Sequence, residues 1–79
     1  MPEMKVIEGL GIKDPLEVFE EGEMVRNRFG FGEIFLQPEE VAVYDLCMGS
    51  EMIGDYKTVR KCIDWFIKNN SEAYMTLLD

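Results

Sequence analysis

Between Val41 and Met52 a helical wheel leaves almost no polar side. Val41, Tyr44, Met48 and Met52 form one stripe, Ala42, Leu46 and Ile53 form another well around the cylinder, and Val43 and Cys47 lie between them. A helix that is apolar nearly all round must be covered nearly all round. Two arrangements do this: a central helix clasped by its own neighbours, or one covered partly by a second copy of the chain. The segment has clear ends. Gln37-Pro38-Glu39-Glu40 opens it, with proline at a first-turn position where its missing N–H costs nothing. Gly54 stops it, and Asp55 is placed to cap the next helix.

That next helix, over 55–69, carries the clearest periodicity in the chain, with Tyr56, Val59, Ile63, Phe66 and Ile67 at i, i+3, i+7, i+10 and i+11. Asn69-Asn70 ends it, and Ser71 opens a short final helix over 72–78. Upstream, Asp14-Pro15 reads as an N-cap and first helical position. From there Leu16, Val18, Gly22, Val25 and Phe29 fall on one stripe opposite Glu17, Glu20, Glu21 and Arg28, which predicts an amphipathic helix over 15–29. Residues 1–13 form an irregular or briefly extended lead-in, and Glu33-Ile34-Phe35-Leu36 a short extended piece. The expected fold is a single all-α domain, a small bundle of three to four helices with one short extended segment near residues 33–36.

A chain of 79 residues buries only about 60–65% of the surface its unfolded form exposes. With 47% hydrophobic residues it has more large apolar side chains than so small an interior holds, so some must lie outside and self-association is expected. The formal charge of −8 repels phosphate backbones and anionic lipid, which argues against free nucleic acid and membranes as partners. Ten of the sixteen acids fall in the first forty residues. No apolar leader follows Met1-Pro2-Glu3-Met4-Lys5, and the longest near-apolar run, Val41 to Met48, is too short to span a bilayer, so a cytoplasmic protein is expected.

Catalytic signatures are missing. There is no histidine to shuttle protons, and Cys47 and Cys62 have neither a CxxC spacing nor a visible activating base, so both read as reduced core thiols. Phe29-Gly30-Phe31-Gly32-Glu33 lacks the lysine of a P-loop and the third glycine of a dinucleotide loop. Asp14, Glu17, Glu20, Glu21 and Glu23 match no calcium-loop pattern and read as a solvated face. No catalytic residue, metal or cofactor is expected.

Trp65, the sole tryptophan, lies outside the inward arc of its helix, beside Lys61 and near Lys68. It is either an anchor for a protein partner or is covered by the N-terminal segment or the last helix. The interface expected from the sequence is accordingly Tyr44, Met48 and Met52 on one helix with Lys61, Trp65 and Lys68 on the next. Two further classes compete with an interaction module. The helix, turn and mildly basic helix of 38–69 allow a helix-turn-helix regulator touching DNA through Lys57, Arg60 and Lys61. The acidic N-terminal half allows a nucleic-acid mimic that blocks a host protein.

Tyr44-Asp45-Leu46, the run Asp55-Tyr56-Lys57-Thr58-Val59-Arg60-Lys61, then Asp64-Trp65-Phe66 and Ala73-Tyr74-Met75 resemble small uncharacterised proteins encoded by tailed phages of marine cyanobacteria. The likeness spans about half of the chain and holds no diagnostic motif. It implies a setting, an auxiliary protein in the cytoplasm of an infected cell with a host protein as a further partner class, and transfers no functional residue.

Overall fold

The stretch 15–29 folds as strands. In the computed structural model, which describes residues 2–30 and 32–79, β1 (Glu3–Lys5) pairs antiparallel with β2 (Leu16–Val18), and β3 (Glu23–Arg26) with β4 (Glu33–Leu36). Then follow α1 (Pro38–Met52), α2 (Tyr56–Asn69) and α3 (Ser71–Ala73), which runs on into a π-helical turn over Tyr74–Leu78. The all-α expectation is therefore corrected: the chain is α+β, with two separate two-stranded sheets packed on its helices.

Several residues explain why the helical stripe of 15–29 was deceptive. A residue before proline is driven out of the α region, so Asp14-Pro15 leads into an extended segment as readily as into a helix. Leu16-Glu17-Val18 then alternates half-buried, exposed and buried, the period of a strand. Gly22 is required by close approach, since a Cβ there would collide with the Leu36 carbonyl and the Phe35 ring. Finally, Asn27 closes a turn. Its Oδ1 accepts from the Phe29 N–H at 2.7 Å, its carbonyl accepts from Gly30, and its N–H donates to the Gly32 carbonyl, with Gly30 at φ 82°. The same Asn27 donates Nδ2–H to the Thr76 carbonyl at 2.8 Å, tying the hairpin to the C-terminal turn.

The N-terminal lead-in carries the short strand β1, and the loop after it sends Ile7 and Leu10 into the core and crosses Trp65.

Both long helices have specified beginnings. The Glu40 carboxylate accepts from the Gln37 N–H at 2.8 Å and, through its other oxygen, from Asn70 Nδ2 at 3.0 Å. One acid thus fastens the start of α1 to the junction of α2 and α3. Asp55 caps α2 by accepting from the N–H and hydroxyl of Thr58. Asn70 in turn caps α3, its Oδ1 accepting from Ala73 N–H at 3.1 Å.

The core joins Leu36, Val43, Cys47, Cys62 and Phe66 at its centre with Ile7, Leu10, Val18, Trp65, Ala73 and Leu77 around them. α1 supplies Val41, Ala42 and Val43 from adjoining positions because α2 covers one side while β2 and β4 cover others. Its first half is thus clasped by its own chain. Cys47 and Cys62 are free thiols inside this core. Among the described residues no helix is long and apolar enough to cross a membrane.

Candidate interaction surface

The six residues singled out from the sequence do not form one face. Trp65 is 6% exposed, stands edge-on to Phe66 with ring centroids 5.2 Å apart, and donates its indole N–H to the Glu8 carbonyl at 2.9 Å. Its cover is the N-terminal loop of its own chain. Lys68 is exposed beside it, at a shallow depression shared with Glu8, Glu39 and Asn69. Lys61, one turn earlier on the same side of α2, meets the same loop, its ammonium donating to the Gly11 carbonyl at 3.1 Å.

Tyr44 and Met48 are half-buried under Arg28, which reaches across from the hairpin turn. The Arg28 guanidinium lies 2.8 Å from Glu51 and 4.0 Å from the Met48 sulfur, and its hydrogen bond and charge pairing with Glu51 raise its already high pKa. Burial lifts the Tyr44 phenol above its ordinary range, against the pull of the Arg28 charge. Met52, one turn further on, is 87% exposed.

Met52 leads to the surface the sequence pattern missed. It adjoins Ile53, 80% exposed at the end of α1, and Tyr56 is exposed at the start of α2. Together they form an apolar tip at the α1–α2 turn. Beside the tip lies a groove of about 610 Å³ lined by Ile12 and Leu16 from the N-terminal half, Leu46 from α1 and Ile53 at its C-terminal cap. Charges of both signs edge it: Lys13 and Asp14 on one side, Asp55 and Lys61 on the other. Thr58 holds the Asp55 carboxyl below the ordinary carboxylate range, chiefly through its hydroxyl and then through its N–H. A signal was present in the sequence, because Ile53 precedes a Gly-Asp helix junction, at an outer corner where a polar residue is ordinarily at home.

The acids of the N-terminal half are dispersed by the strands. Glu17 lies on β2, Glu20 and Glu21 at the bend that follows, and Glu23 on β3. Among the described residues no three His, Cys, Asp or Glu side chains converge as metal ligands would. On α2, Lys57, Arg60, Lys61 and Lys68 are all exposed, and Lys61 donates to the Gly11 carbonyl. No protein-family model, curated protein or solved structure matches the chain.

Proposed function

We propose that this chain is a non-catalytic protein-interaction module that works in self-associated form. One observation carries the reading. Among the described residues eleven large apolar side chains are exposed, against thirteen hydrophobic residues in the core. Scattered apolar side chains are normal on any surface, but here they gather where nothing in the fold needs them. Met52, Ile53 and Tyr56 share the helix junction, and Met24 and Phe35 pair across β3 and β4 on the face turned from the helices. Burying such side chains against a partner returns about 25 cal/mol for each Å² removed from water. The setting suggested by the phage resemblance, the cytoplasm of an infected cell with a host protein as a second partner, is compatible with such a module.

Sedimentation equilibrium from low micromolar to submillimolar protein tests the reading. The expected result is an average mass that rises from the monomer value with concentration. A monomer mass throughout that range would remove the self-association.

A further inference from the structure

The groove beside the α1–α2 turn has a feature that selects its occupant: the apolar projection it would accept stands on its own lip. Ile53 both lines the groove and is 80% exposed, and Met52 next to it is more exposed still. The rest of its apolar lining, Ile12, Leu16 and Leu46, is half-buried. A surface that offers projection and recess side by side is complementary to itself under a two-fold rotation, the commonest symmetry of soluble oligomers.

Charge favours the same occupant. Two molecules of net charge −8 repel each other over most of their surfaces. Around this groove Lys13 and Lys61 balance Asp14 and Asp55, so here two copies meet without a local excess of one sign. A two-fold rotation also sets each copy's rim against a rim holding both signs, where opposite charges fix register. The hairpin face of Met24 and Phe35 lacks this advantage. Glu21 lies at the bend before the strand of Met24, and Arg26, the cation of that face, is already paired with Glu33 at 3.7 Å.

We infer that this groove and tip are the two-fold interface of a homodimer, with Ile53 of each copy seated against Ile12, Leu16 and Leu46 of the other. The inference rests on the interaction reading above and adds its surface and its partner.

Two single variants at exposed positions, Ile53→Asp on the lip and Met24→Asp on the hairpin face, test it by sedimentation equilibrium, with circular dichroism to verify folding. The interface predicts that Ile53→Asp, folded as the parent, weakens dimerisation about a hundredfold, as loss of a central apolar anchor does. Met24→Asp is expected to keep the parental constant. The reverse pattern overturns the assignment and moves association to the hairpin. A parental mass that climbs past the dimer also overturns it, since a head-to-tail contact, unlike a two-fold one, forms open chains. Both of these leave the interaction reading standing, whereas a parental chain that stays monomeric removes that reading as well.

Discussion

Trp65 shows how one side chain settles where a whole segment lies. Its indole N–H binds the Glu8 carbonyl, its ring edge meets Phe66, and a Cβ at Gly9 would come into contact with the indole. Trp65→Phe keeps an aromatic ring but loses the donor and part of the contact area, a cost of about 1–2 kcal/mol. Urea unfolding should show that loss, and hydrogen exchange should show faster opening confined to residues 6–13. Asp55 acts through charge. Its carboxyl is held below the ordinary range by Thr58, so its folded pKa lies under the unfolded value of about 3.9. Its contribution is complete above that value and disappears as pH falls through the folded pKa. Asp55→Ala should therefore lower the melting temperature at neutral pH, and the gap from the parent should close in the acid limb. A gap independent of pH would assign the loss to packing alone.

Among the elements, the hairpin of β3 and β4 depends most on a single position. Asn27 is 8% exposed and makes hydrogen bonds from both ends of its amide, one shaping the turn and one holding it to Thr76. Asn27→Ala removes both and leaves a shielded backbone partner unmet, which should cost about 2–3 kcal/mol by urea unfolding. Amide exchange should then speed up in β3, β4 and the π-helical turn together. Loosening of the hairpin alone would mean that the Thr76 contact does not couple them. The same residues show why the two long helices and the extended piece at 33–36 could be read from sequence and the pairing of the strands could not. α1 and α2 announce themselves by local signals, a proline at the start of one, a Gly-Asp junction between them, and apolar residues repeating at helical spacing. The strands span three or four residues, too few for a period of two to stand against a period of 3.6. What fixes them lies far away in the chain, Thr76 for Asn27 and Phe35 for Gly22. The candidate surface divides in the same way. Met52 was visible as part of an over-apolar helix, but Ile12 and Leu16 join it only because the N-terminal segment crosses the helix pair.

For the whole molecule, the over-apolar helix is resolved in two ways along its length. Near its start, Val41, Ala42 and Val43 are enclosed by the chain itself; at its end, Met52 and Ile53 face solvent. The monomer thus encloses α1 as far as Cys47 and Ser50 and leaves uncovered the apolar side chains of Met52 and of Ile53 at its cap. The most direct check looks for contacts between copies, using an isotope-filtered NOE experiment on an equal mixture of labelled and unlabelled chains. The account predicts intermolecular contacts from the Ile53 methyl groups to Ile12, Leu16 and Leu46. Intermolecular contacts that come only from Met24 and Phe35, or none in a sample at submillimolar concentration, would contradict it.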